Sequence, residues 1–421
     1  MGWLGVDVGT SSTKAVVYTD AGQPVGAGRA TTPWYTGPHG VEVDPVALRG
    51  SAFAAVKEAL DAASGEVVRG VGITGMGETG VLVDGHGVPI APAIAWHDGR
   101  DAAEAEALTR DIDPATFTRR TGKPPTNQYA LTKHRWLTTH MPASRAAVRR
   151  FNVAEWVARG LGADEVSERS LASRTGWLDL GREAFDPELL AWSGAAPSLM
   201  PPLVEAGRPV GTATHPLLAG AVVTLAGHDH QAAAVGAGVA AAGDVLDSHG
   251  SAEAVLRTVA AGLAADQIEE LAAAGITTDL GVRAGCWSLL GGTKGGLALR
   301  RTLDALGVGW ADLADLDAAA LADPPRGPAA EWRSAIESET HVAAERIATM
   351  ARIVGPHQRL VVTGGWCAST AVMAAKRRLF GPLTVADAAE TGTLGAATLA
   401  ARAAGFLGPD DALTPSTRAP I

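Results

Sequence analysis

The first eighteen residues divide into two apolar runs around a polar turn. Leu4-Gly5-Val6-Asp7-Val8 leads into Gly9-Thr10-Ser11-Ser12-Thr13-Lys14, and Ala15-Val16-Val17-Tyr18 follows at once. This pattern predicts a hairpin of two strands with a tight turn. From Pro45 to Ala63 the spacing becomes helical, with Asp44 suited to the N-cap and Pro45 to the first helical position. Val68 to Thr74 reads as a strand, and Val81 to Asp84 as a shorter one before the Gly85-His86-Gly87 turn. A long, mostly helical stretch with turn-rich interruptions follows, from Asp101 to about Ala195. Val222 to Ala226 is a further buried strand, running into Gly227-His228-Asp229-His230.

The second half repeats the opening. Gly243 to Leu256 is again strand, small-residue turn and strand. Leu360-Val361-Val362-Thr363 ends in Gly364-Gly365, before a helix from about Ala368 to Phe380. Two α/β halves, each opening with a phosphate-sized turn, predict a duplicated architecture with a nucleotide held between them. The boundary falls near Ala237-Gly238-Val239, giving expected domains 1–238 and 239–421. The prolines of Asp323-Pro324-Pro325-Arg326-Gly327-Pro328 mark a surface loop.

A chain of 421 residues is too long for one ordinary core. With 47% hydrophobic and 19% charged residues it is globular rather than disordered. A net charge of −10 argues against nucleic acid or an anionic membrane as partner. Two cysteines, Cys286 and Cys367, make no disulfide framework. The start shows no secretory signal pattern, and the Ala232–Gly243 run is too short to span a bilayer. The expected location is the cytoplasm.

The opening turn carries the first candidate chemistry. Gly9 admits close backbone approach to a ligand, and the hydroxyls of Thr10, Ser11 and Ser12 are suited to phosphate oxygens. Asp7 ends the first strand, where one carboxylate suffices to meet a hydrated Mg²⁺. An ordinary polar turn is the alternative. No Walker A pattern is present.

Taken in order, several segments resemble the FGGY family of carbohydrate kinases over nearly the whole chain. Asp7 to Lys14 is similar to that family's first phosphate hairpin. Ala95-Trp96-His97-Asp98-Gly99-Arg100 is similar to its Trp-x-Asp-x-Arg segment, and Ala226-Gly227-His228-Asp229 to the segment bearing its catalytic Asp. Gly250-Ser251 falls at its second phosphate turn. Gly364-Gly365 with Ser369, and Glu390-Thr391-Gly392-Thr393-Leu394-Gly395, resemble its adenosine motif and closing helix. The resemblance implies a two-domain α/β fold of the actin-like (ribonuclease H-like) ATPase type with an interdomain cleft. It also implies ATP and Mg²⁺, a small sugar or polyol substrate, and allows a homodimer.

On that resemblance Asp229 is the general base, because phosphoryl transfer to a sugar hydroxyl needs a carboxylate to orient it and take its proton. The same Asp suits a helix N-cap, and both roles are compatible. His228 and His230 flank it without a third metal ligand, so they are expected to line the sugar site or bond to backbone. Met76, Gly77 and Glu78 occupy the family's sugar-contact position. Glu78 matches the glycerol kinase Glu, but Gly77 stands where those enzymes carry an Arg, which counts against glycerol. An exposed turn Glu is the alternative reading. Trp96 suits stacking on the substrate or core packing, while Asp98 and Arg100 are expected to form a structural ion pair. Gly292 and Thr293, before a helix from Leu297 to Leu306, are assigned to the nucleotide with Gly250, Ser251, Gly364, Gly365 and Ser369.

Two segments depart from the family pattern. The Gly-x-Arg-x-Pro segment is missing or reduced to the 323–327 loop. Ala375-Lys376-Arg377 replaces Gln-Ala-Asp, a change expected at the adenosine edge. The Gly-His-Asp-x-Gln pattern at 227–231 is closest to fuculokinase-like members, with xylulokinase-like substrates equally compatible. An actin- or chaperone-type ATPase and a non-catalytic sugar sensor are the alternatives from other classes.

Overall fold

The computed structural model describes residues 1–250, 252–386 and 388–413. Two six-stranded mixed sheets organise the chain. The first contains β1 (Gly2–Val8), β2 (Ser12–Thr19), β3 (Pro24–Thr31), β4 (Val68–Gly75), β5 (Pro209–Thr212) and β6 (Val222–His228), in the order β5-β6-β4-β1-β2-β3. The second contains β7 (Asp244–His249), β8 (Glu253–Ala260), β9 (Thr277–Leu280), β10 (Cys286–Thr293), β11 (Arg359–Thr363) and β12 (Thr384–Val385), in the order β9-β10-β8-β7-β11-β12.

The duplication expected from the sequence is visible in the pairing. Antiparallel β1-β2-β3 corresponds to antiparallel β7-β8-β10. Parallel β1-β4-β6 corresponds to parallel β7-β11-β12. The opening hairpin pairs Gly2 with Thr19 through to Val8 with Thr13, a register fixed by its short turn. Leu4, Val6, Val8, Ile73 and Leu225 lie in one core with helix α1 (Pro45–Ala62). Asp44 caps α1 by accepting from the Val46 amide at 2.8 Å. Val245, Val255, Leu289, Leu360 and Val362 form a separate core in the second half.

The middle stretch is mostly helical with turn-rich interruptions, as expected. Helix α2 (Val153–Leu161) packs under the first sheet, while short helices, hairpins and turns fill the rest. Beyond helices α3 (Asp229–Gly236) and α4 (Gly295–Leu306), the 323–327 loop is exposed as expected. It leads into the 27-residue α5 (Pro328–Val354). Helix α6 (Thr370–Phe380) starts slightly later than the sequence suggests, because Gly365–Ala368 forms a 3₁₀ turn and Ser369 caps the helix.

The last helix, α7 (Thr391–Ala403), returns to pack on β1, β4 and α3. That approach depends on glycines in the sheet. A β-carbon on Gly5 would lie 1.8 Å from the Thr393 carbonyl oxygen, and one on Gly72 1.9 Å from that of Ala396. Among the described residues no helix is long and apolar enough to cross a membrane.

Candidate active site

The carboxyl ends of three parallel strands meet at one point. Gly75 is paired with both Val8 and His228, so the turn after β1, the segment after β4 and the start of α3 lie side by side. Ligand sites form at such strand ends because the connecting loops diverge there. Asp7 is half-buried at this junction, and its buried Oδ1 has no hydrogen-bond partner among the described residues. Burial, with the carboxylates of Asp229 and Glu390 adding to it, pushes the Asp7 carboxyl up to about 7 against the pull of Lys14. Lys14 itself pairs with Glu390 at 2.6 Å.

Asp229 opens α3. Its Oδ1 accepts from the His230 amide at 2.6 Å, with His228 Nε2 at 3.3 Å and His230 Nε2 at 4.0 Å. Burial raises its pKa, but the two imidazoles, that amide and Arg174 outweigh it, so the net shift is downward. The protein contacts all fall on Oδ1. His228 is buried, which holds its imidazole down to about 4 and neutral near pH 7. Among the described residues no three His, Cys, Asp or Glu side chains gather as a metal site.

Met76 and Trp96 meet at Thr10, and Gly77 lies against Arg174 and His228. The Thr10 hydroxyl accepts from Trp96 Nε1 at 2.9 Å and lies 3.7 Å from Met76 Sδ as its donor. That hydroxyl therefore faces the Met76–Trp96 side, contrary to the expectation that it points at phosphate. Glu78 adopts φ +65° and is 4% exposed, which rules out an exposed turn residue. Arg174 Nε donates to its Oε1 at 2.9 Å, and Gln128 Nε2 lies 3.5 Å from the same oxygen. Asp98 and Arg100 form the expected ion pair at 2.7 Å, joined by Glu42 at 2.6 Å.

A cavity of about 510 Å³ opens between the two sheets, lined by Asp7, Lys14, Asp229 and His230 from the first half. Ser248, Gly250, Gly364, Gly365, Trp310 and Trp366 line it from the second, and Glu390 to Gly392 close it. Gly364 sits at φ +103°, and a β-carbon there would lie 2.3 Å from the His249 carbonyl oxygen. Only glycine permits that contact between the two turns. Ser11 and Ser12 sit at the partly open hairpin tip. Ser251 lies outside the described residues.

Gly292, Thr293 and Ser369 are not among the residues lining this cavity. Thr293 Oγ1 donates to Glu253 at 2.9 Å. Ser369 is fully buried, caps α6 by accepting from the Val372 amide, and donates to Asp317 at 2.8 Å. Lys376 is likewise fully buried, so it does not form an exposed adenosine edge. It pairs with Asp247 and, at 2.5 Å, with Glu253 beneath the Gly250 turn.

Arg174 and Asp279 went unnoticed in the sequence. Arg174 NH1 and Lys123 Nζ reach Asp279 at 2.9 and 2.7 Å, tying the Glu78 partner to β9 of the second sheet. Neither residue carries a motif.

Residues 2–236 match the FGGY family of carbohydrate kinases, N-terminal domain. The chain belongs to the FGGY family of carbohydrate kinases. It is 35% identical over 243 residues to a xylulose kinase of Streptomyces rubiginosus, covering 56% of this chain and 50% of the relative. It is 30% identical over 337 residues to a glycerol kinase of Janthinobacterium sp. (strain Marseille), covering 77% and 67%. The alignment thus spans about half the length of the xylulose kinase. The crystal structure of xylulose kinase from Rhodospirillum rubrum superposes with a TM-score of 0.88 at 25% identity, covering 100% of this chain and 94% of that one. The fold is the two-domain actin-like α/β ATPase fold with an interdomain cleft.

Proposed function

We propose that this protein transfers the γ-phosphoryl group of ATP to a hydroxyl of a small sugar or polyol, with Asp229 as general base. The observation that carries this reading is the Asp229 carboxylate itself. Its Oδ1 is occupied by the His230 amide, so Oδ2 remains for a substrate hydroxyl at the mouth of a cleft shared by both halves. A lowered pKa keeps it ionised near neutral pH, ready to take the hydroxyl proton as the new P–O bond forms.

The amides of the Thr10–Ser12 turn, and Gly250 and Gly364–Gly365, are the proposed phosphate and nucleotide contacts. Asp7 fits Mg²⁺, since its Oδ1 lacks a protein partner and the residue lines the cleft together with Asp229. When bound, the ion neutralises phosphate charge. Met76, Glu78, Trp96 and His228 are proposed to contact the acceptor, and closure of the halves near residue 238 to exclude water.

A ketose or deoxy-ketose is the preferred acceptor. Gly77 offers no side chain, and Arg174 packs against it, with a β-carbon at 77 only 3.0 Å from Arg174 Cβ. Similarity to a xylulose kinase supports the same choice. ATP turnover is to be measured alone and with xylulose, fuculose and glycerol. Turnover silent until one ketose is added supports the proposal. Sugar-independent turnover indicates an ATPase, binding without turnover a sensor, and highest kcat/KM on glycerol overturns the substrate class.

A further inference from the structure

We propose that Trp310 is the platform on which the base of the nucleotide stacks, an inference that rests on the nucleotide reading of the cleft. Trp310 lies in the short turn after α4, lines the 510 Å³ cavity and leaves about half its surface (48%) open. Gly364, Gly365 and Trp366 line the same cavity. Most of its other lining residues are small or polar. A phosphate chain needs such groups, whereas a nucleobase needs a flat apolar surface, and these two tryptophans are the large ones present.

The ring is also held in place. Trp310 packs on Trp366 with centroids 4.9 Å apart, and Trp366 packs on buried Trp332 at 5.9 Å. Trp332 Nε1 donates to Asp317 at 2.8 Å, the carboxylate that also receives the Ser369 hydroxyl. The Arg300 guanidinium lies over the Trp310 ring, 5.9 Å from its centroid, and is engaged with Asp304. A platform fixed before binding loses little freedom when a base stacks on it. This gives Ser369 a task that suits its burial: it joins the helix cap to the support of the aromatic trio, away from ligand.

The test compares Trp310→Ala and Trp310→Phe for ADP affinity by calorimetry, with inorganic tripolyphosphate as a probe lacking the base. Trp310→Ala is expected to weaken ADP about tenfold or more, as aromatic–base stacking does. Trp310→Phe should recover most of that loss, while tripolyphosphate affinity and the KM for sugar stay unchanged. Unchanged ADP affinity in Trp310→Ala overturns the platform, and so does equal weakening of ADP and tripolyphosphate. If wild type binds neither ADP nor ATP, the nucleotide reading of the cleft fails first, a result separable from failure of Trp310 alone.

Discussion

Arg174 holds Glu78 from a distance of 96 residues in the chain, donating to its carboxylate from Nε at 2.9 Å in a site from which water is nearly excluded. Gly77 makes room for that arginine, since its missing side chain leaves Arg174 and His228 against the backbone. Arg174 engages one carboxylate oxygen, Oε1, of Glu78.

Glu78→Gln should raise the KM for the preferred sugar while leaving that for ATP nearly unchanged. A site built to bond hydroxyls discriminates through its buried polar groups, and the amide disturbs both the sugar contact and the Arg174 pair. Steady-state kinetics on both substrates decide this. An unaltered sugar KM would show that Glu78 serves only to neutralise Arg174.

Thr10→Val is expected to act on the sugar side. The hydroxyl it removes is engaged with Trp96 and Met76, so the indole N–H loses its acceptor. One lost hydrogen bond of this kind costs about 0.5–1.5 kcal/mol, a several-fold rise in sugar KM. A larger rise for ATP than for sugar would return the hydroxyl to the phosphates.

What the chain revealed beforehand was local or repeated. The Leu4–Tyr18 hairpin was legible because strand alternation and a polar turn lie within a few residues, and its short turn fixes the register that runs from Gly2–Thr19 to Val8–Thr13. The duplicate at Gly243–Leu256 was legible for the same reason. Long-range pairing left no such trace. Arg174 sits in a segment with no periodic signal, and Asp279 lies in an ordinary strand, so only the fold brings them together. Lys376 was visible as a departure in sequence, yet its burial under the Gly250 turn depends on Asp247 and Glu253 from another hairpin. Ser369 shows the converse: a hydroxyl near a glycine pair caps a helix as readily as it meets a ligand.

Asp279→Asn should destabilise the protein by about 3–5 kcal/mol, the usual cost of removing one partner from a buried ionic network. Lys123 and Arg174 would both keep their charge without the carboxylate that now bridges them. Urea unfolding measures this. A loss below about 1 kcal/mol would mean that the network relaxes and does not bind the two halves together.

Three buried histidines should draw stability down in mild acid. Burial pushes the imidazoles of His134, His228 and His249 down to about 4, whereas in the unfolded chain they titrate near 6.5. Between about pH 6.5 and 4 the unfolded state therefore binds protons that the folded state refuses, and stability drops as pH falls. Above pH 6.5 the contribution is complete. Asp7, Glu168 and Asp247, raised to about 7 by burial, act in the opposite sense, so the histidine share is read by comparison. The change in calorimetric Tm from pH 7 to pH 4.5 should be less negative in His134→Gln than in wild type; equal slopes would mean that the ring is solvated.

Asp229→Asn should preserve the fold and ATP binding while lowering kcat about 10²–10⁴-fold, the typical cost of losing a positioned base. The N-cap of α3 is His228 and not Asp229, and the amide keeps an oxygen acceptor for the His230 N–H, so the start of α3 should remain in place. It cannot take the proton of the attacking hydroxyl, so the P–O bond must form against a retained proton. The KM for ATP should change little, because the substitution lies on the acceptor side of the transferred group. Single-turnover kinetics separate the chemical step from release of product. A variant retaining more than about a third of wild-type turnover would remove Asp229 from the role of base.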